Sequence, residues 1–256
     1  MSLQACAELV ARGDPDRFRA AMASPLAPRQ ILFPLYAFNI EVSRAPWVTD
    51  EPLIAEMRLQ FWRDVVEEIA TGKTPRAHEV AQPLAAAIPA DLIGPLDALV
   101  AARRWDIHKD PFEDRAAFDA YIADTSAPLV TVAARALGAG AGAEPILQDA
   151  AWAYGLATFL RAIPALEAAG RVPLVEGTPD ALRALAQEGL TRLARARAGR
   201  AMVARHALPA LYAGWRAEPT LKAALADPRL VASGQLPGAG LRDSLRLAAL
   251  AATGRW

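Results

Sequence analysis

The chain has 256 residues, is 54% hydrophobic and 22% charged, and carries 28 basic against 28 acidic side chains. That length is enough for a sizeable core, and the balanced charge offers no electrostatic argument for a nucleic-acid partner. Cys6 is the only cysteine, which excludes an intrachain disulfide and a multi-thiolate metal site. Charges and prolines interrupt every apolar stretch before the roughly 20 residues that cross a bilayer, and the start of the chain lacks a basic flank, apolar run and cleavage site. An intracellular protein is the expectation.

Ala, Leu, Arg and Glu favour helix, and few runs alternate Val, Ile or Thr as strands do, so the class is all-α, read as one domain over 1–256. Short helices are predicted over 2–10 and 14–23, the second with Asp14 as N-cap and Pro15 just inside. An apolar helix over 29–44 contains Pro34, which would kink it or displace its start, and Pro46 closes it. The next helix starts near Asp50, a possible cap, and Pro52. It carries one apolar stripe at Ile54, Met57, Phe61 and Val65 and another at Leu59, Trp62, Val66 and Ile69, which predicts burial on two sides. Gly72 ends it.

Helices over 78–88 and 91–108, the latter capped by Asp91, lead through KDPFEDR to a helix over 116–137 and the breaker GAGAGAEP. A long helix over 145–169 has Pro164 as a kink or stop. RVPLVEGTPD reads as a loop, extended at 172–175, and helices over 181–205, 208–216, 220–226 and 241–252 complete the chain.

Most isolated polar features have ordinary readings. His78, His108 and His206 are far apart and none has metal-ligand spacing to another. The glycines of GAGAGAEP follow a helix rather than a strand and lack the Lys-Ser or Lys-Thr of a phosphate loop. Asp106, Asp110, Glu113 and Asp114 straddle a helix end and a Pro-containing loop, which reads as solvated rather than as a cation site. Arg192, Arg195, Arg197, Arg200 and Arg205 spread around a helix as a solvated face, with contact to lipid phosphates or an acidic partner as the functional alternative. The amphipathic stretch LRDSLRLAALAATGRW reads as docked on the core, with a membrane surface as its alternative.

Five strings occur in order over most of the chain: LFPLYAFNIEVSRAP, EMRLQFWRDVVEEIATG, RRWDIHKDPFED, FDAYIADTSAPL and YGLATFLRAIPALEAAGRVPL. As a set they resemble the squalene and phytoene synthase family. The resemblance implies an isoprenoid synthase-type helical bundle around a central cavity that takes long prenyl chains.

Catalytic members of that family join two prenyl diphosphates using two acidic DxxxD-type motifs. Carboxylates at i and i+4 share a helix face, and the magnesium they hold neutralises the departing pyrophosphate. Here Tyr36, Ala37 and Phe38 match the first motif, but Ser43, Arg44 and Trp47 stand where acids are expected. In the second, Leu160 and Arg161 match, and Ala162 with Ala165 or Leu166 replaces the acids before Gly170, Arg171 and Val172 resume the match. Glu41 and Glu167 do not rebuild two opposed clusters.

The resemblance therefore points to a pseudoenzyme with no catalytic residue, no metal ligand and no cofactor. It is similar to the noncatalytic branch that includes a mitochondrial assembly factor for respiratory complex I. The implied role is assembly or scaffolding of a membrane respiratory complex, or binding of a prenyl or other lipid. Such a bacterial chain would work in the cytoplasm, at a respiratory-complex subunit or the inner-membrane surface. Tyr36, Ser43, Arg44, Trp47, Arg58, Phe61, Trp62, Thr125, Phe159 and Arg161 are the cavity or ligand-binding candidates. The alternative is a divergent prenyltransferase that retains Mg²⁺, with Arg44, Arg58 and Arg161 facing a diphosphate; the plain reading of these arginines is pairing with Glu41, Glu56 or Asp64.

Overall fold

A computed structural model describes residues 2–256. The α-helices are α1 (Leu3–Gly13), α2 (Pro15–Met22), α3 (Leu26–Arg44), α4 (Pro52–Ala70), α5 (Ala81–Ala87), α6 (Ala90–Ile93), α7 (Leu96–Ala102), α8 (Arg115–Ala136), α9 (Glu144–Ala168), α10 (Pro179–Ala198), α11 (Ala217–Ala226), α12 (Arg229–Ala232) and α13 (Leu241–Thr253). Shorter 3₁₀ turns link them, notably Ala45–Trp47, Arg103–Asp106 and Arg205–Gly214. No strand occurs among the described residues, so the all-α expectation holds, and 171–178, between α9 and α10, is a loop as expected.

Local chemistry accounts for several boundaries. The Asp14 carboxylate accepts the Arg17 N–H at 2.9 Å and Pro15 fills the first helical position of α2, as expected. Asp114 caps α8 the same way, accepting the Ala117 N–H at 2.8 Å. Asp50 and Asp91 are not caps: α4 starts after Glu51 and α6 after Pro89, neither with a side-chain cap. The helix expected over 91–108 divides into α6, α7 and a 3₁₀ turn, because Pro95 has no N–H with which to continue the ladder.

Two helices form the centre. Every residue from Leu32 to Ile40 on α3 is buried, and α9 is buried almost continuously from Ala150 to Leu160. Both carry an internal proline that does not end them: α3 begins ahead of Pro34, at Leu26, and α9 runs past Pro164 to Ala168. Around Pro34 the neighbours of α3 hold the helix through the lost hydrogen bond, whereas around Pro164 α9 is partly exposed. α8 lies along α9 at close range, since Gly155 offers no side chain: a Cβ there would come within 2.6 Å of the Ser126 hydroxyl.

α4 departs from its prediction. Its Leu59, Trp62, Val65, Val66 and Ile69 face α3, α6 and α7, while Ile54 and Met57 are 44% and 64% exposed. The expected stripe of Ile54, Met57, Phe61 and Val65 is therefore split: its first two residues lie on the surface, Phe61 is half-buried against Trp62 and His78, and Val65 joins the core. No single helix among the described residues is long and apolar enough to cross a membrane.

Candidate functional site

A cavity opens between α3, α8 and α9, closed at one end by the start of α2 and by the 3₁₀ turn Arg205–Gly214. It has two connected lobes of about 530 and 420 Å³, which share Gly13, Asp14, Arg17, Ser126, Gly155, Thr158 and Ala162. The side chains that replaced the expected acids have not filled it.

In the larger lobe, α3 and the turn after it contribute Asn39, Ser43, Arg44 and Trp47, and α9 contributes Phe159, Ala162, Ala165 and Leu166 from the opposite side. Both expected motif positions therefore meet across one space. The Ser43 hydroxyl donates to the Ile40 carbonyl at 3.0 Å, Arg44 makes no ion pair among the described residues, and Ala162, Ala165 and Leu166 offer no ligand atom. Glu41 and Glu167 line neither lobe.

The carboxylates that do reach the cavity are held by guanidinium groups. Arg17 donates to Asp14 at 2.7 Å. Arg216 and Arg161 donate to Asp16 at 2.6 and 3.3 Å. Desolvation, with the adjoining Arg216 charge, lowers the pKa of Arg161 below its ordinary value. These groups make one end of the smaller lobe cationic, with three guanidinium groups against two carboxylates. Magnesium needs converging hard oxygen ligands. The residues present do not fit it, and no group of three or more His, Cys, Asp or Glu among the described residues is placed to hold a metal.

The wall made by α8 and the Arg103–Asp106 turn is built differently. Asp106 is buried and accepts from the Tyr121 hydroxyl at 3.0 Å and from Arg103 at 3.2 Å, while Arg103 also donates to the Tyr121 oxygen at 3.0 Å. Burial alone would lower the pKa of Arg103, but the fields of Tyr121 and Asp106 outweigh it and raise it. Arg171, in the loop after α9, donates to the carbonyls of Trp105, Asp106 and His108 and lies 4.7 Å from the centre of the Trp47 ring. Behind this network Trp105 stacks on Phe112 at 4.2 Å, with Tyr121 and Phe159 against them.

Of the candidates, Ser43, Arg44, Trp47, Thr125 and Phe159 line the larger lobe, and Tyr36 and Arg161 the smaller. Tyr36 is buried, its hydroxyl has no partner in the protein, and desolvation raises its pKa well above the ordinary tyrosine value. Arg58, Phe61 and Trp62 line neither lobe. Arg58 is exposed on α4, and Phe61 and Trp62 pack on each other and on His78, with Trp62 edge-on to Phe38. The expected partners of the arginines are taken by others: Asp64 by Arg76 and Glu56 by Arg104. Asp106 is not the solvated loop acid expected, and the remaining acids of its group do not join it. Sequence reasoning missed the Asp106, Tyr121, Arg103 and Arg171 network and the Asp14, Asp16 and Arg216 cluster. Only the family-like strings RRWDIHKDPFED and GRVPL hinted at the first.

The squalene/phytoene synthase family model matches residues 10–176. The chain belongs to that family. Two solved family structures share its fold: a dehydrosqualene synthase bound to a ligand, with a TM-score of 0.81 at 13% identity over 98% of this chain and 95% of that one. The other is a squalene synthase from Alicyclobacillus acidocaldarius, with a TM-score of 0.70 at 14% identity over 92% and 95%. The isoprenoid synthase-type bundle is thereby established.

Among curated family members, the Drosophila melanogaster homologue of NADH dehydrogenase (ubiquinone) complex I assembly factor 6 is 29% identical over 197 residues, 73% of this chain. The human assembly factor 6 is 33% identical over 70 residues, 27% of this chain. The matched region spans 58% of the Drosophila protein's length and 21% of the human protein's.

Proposed function

We propose that this chain is a noncatalytic member of its family, an assembly or scaffolding factor for a membrane respiratory complex that keeps its cavity as a site for a prenyl or other lipid. The observation that carries this reading is the wall of α3 and α9: where catalysis needs opposed carboxylates, Ser43, Arg44 and Trp47 face Ala162, Ala165 and Leu166 across an open cavity. Ionisation of a prenyl diphosphate there would have no metal to take up the developing charge. The similarity to the two assembly factors supports the assembly role.

The cavity suits an amphiphile. Ile122, Phe159 and Leu166 give one lobe an apolar lining, and Arg17, Arg161 and Arg216 make the end of the other cationic. Trp47 lines the larger lobe and is itself exposed, and Val48, Leu53, Ile54 and Met57, which follow it along the chain, are exposed as well, with Leu53 at 73%. Exposed apolar side chains close together along one segment suit a membrane surface or a partner subunit, in keeping with a cytoplasmic protein peripheral to the inner membrane of a bacterium.

The test is deletion of the gene in its host, followed by native electrophoresis of solubilised membranes. Loss of assembled complex I, restored by the wild-type chain and not by a Leu53→Glu, Met57→Glu variant with an unchanged melting temperature, is the expected result. Normal complex I in the deletion strain would remove the assembly role.

A further inference from the structure

A second, smaller pocket of about 300 Å³ lies behind the cavity, between the end of α10, the Arg205–Gly214 turn, α11 and α13. Tyr154 and Gly214 line both spaces and form the partition between them. The partition depends on glycine: a Cβ on Gly214 would sit 2.0 Å from the Tyr154 ring, so a larger residue would displace that ring.

Four guanidinium groups line this pocket, those of Arg197, Arg200, Arg246 and Arg255, and Glu218 is the only acidic side chain among them. Glu218 pairs with Arg197 at 2.7 Å, with Lys222 at 2.7 Å and with Arg246. Burial alone would raise the Glu218 pKa, but the bonds from Lys222 and Arg197 and the fields of Arg197 and Arg246 hold it at about 2. Glu218 therefore stays ionised and fixes two arginines in place. Arg200 and Arg255 make no ion pair among the described residues. Among the side chains that line the pocket, four guanidinium groups against one carboxylate give a net side-chain charge of +3.

A second observation points the same way. Trp256 lines the pocket and is 4% exposed, and its indole N–H has no acceptor in the protein; nor has the buried Nε–H of Arg197. Buried donors are ordinarily paired. Both groups lack an acceptor where the surrounding charge is positive.

We propose that this pocket binds a phosphate-class oxyanion, carried either by free phosphate or pyrophosphate or by the headgroup of an anionic lipid. Guanidinium forks match phosphate oxygens, and an indole N–H adds a neutral donor. A single carboxylate would leave most of the +3 charge uncompensated, which favours the more highly charged ligand. The site is separate from the cavity of the proposed function and does not depend on that reading.

The experiment is calorimetric titration of the full chain with inorganic phosphate and pyrophosphate at low salt, paired with sedimentation on phosphatidylcholine vesicles with and without phosphatidylglycerol. An Arg200→Ala, Arg255→Ala variant removes two charges that hold no folded partner, so its melting temperature should match the wild type. If the source is a free anion, saturable binding at one site per chain is expected, weakened about tenfold or more in the double variant. If it is a lipid headgroup, sedimentation requires phosphatidylglycerol and falls in the same variant. Arg58→Ala, exposed on α4 and lining neither the cavity nor this pocket, should leave either signal unchanged. Failure of both probes to bind, affinity unchanged in the double variant, or an equal loss in Arg58→Ala would each overturn the proposal.

Discussion

The two sides of the central cavity have been built to different rules. On the side of α8 and the Arg103–Asp106 turn, a buried carboxylate, a tyrosine and two arginines satisfy one another and the surrounding carbonyls. On the side of α3 and α9, Ser43 bonds only its own helix, Arg44 makes no ion pair among the described residues, Ala162, Ala165 and Leu166 carry no polar group, and only Trp47, under Arg171, touches the opposite network. The first side maintains the shape of the cavity, and the second is where metal chemistry would have to occur. A family member can lose the second without the first, because a buried polar network is costly to leave half-satisfied while a cavity-facing alanine costs the fold little.

Substitutions should separate the two sides by size of effect. Arg171→Ala strands three backbone carbonyls and releases Trp47, so chemical denaturation should show a loss of about 3 kcal/mol, among the larger effects of breaking a buried charged network. A loss below about 1 kcal/mol would mean that the loop after α9 does not depend on it. Tyr121→Phe removes one hydroxyl and leaves the Arg103 to Asp106 pair, which predicts a loss of about 1 kcal/mol by the same measurement. On the opposite side, Arg44→Ala should change stability by no more than about 0.5 kcal/mol, since Arg44 is exposed and makes no ion pair among the described residues. Equal losses from Arg44→Ala and Arg171→Ala would erase the distinction between the sides.

What the sequence disclosed follows the same division. The all-α class, most helix positions and the facing of the two motif segments were legible, because helical periodicity and an ordered set of family-like strings are local signals. The face of α4 was not. With apolar residues on both sides, Phe61 and Trp62 were as eligible for the cavity as for the core, and only the packing decides that Trp62 is core and that Phe61 lies half-buried beside it on His78. The network at Asp106 was hidden because its members are joined across 15 residues to Tyr121 and 65 to Arg171. The cationic end of the smaller lobe was hidden for the same reason: Arg216 meets Asp16 across 200 residues. The basic pocket likewise brings α10, α11 and α13 together. In sequence, its arginines lay in a stretch that read as a solvated helix face and in an amphipathic terminal helix.

The noncatalytic reading of the α3 and α9 wall is tested most directly by a turnover assay of the purified chain with farnesyl or geranylgeranyl diphosphate and Mg²⁺, read by mass spectrometry of the extracted products. No condensed prenyl product above the protein-free control is predicted. Magnesium-dependent formation of a head-to-head product at an enzymatic rate would contradict it and show that Ser43, Arg44 and Trp47 do not mark a site that has lost its chemistry.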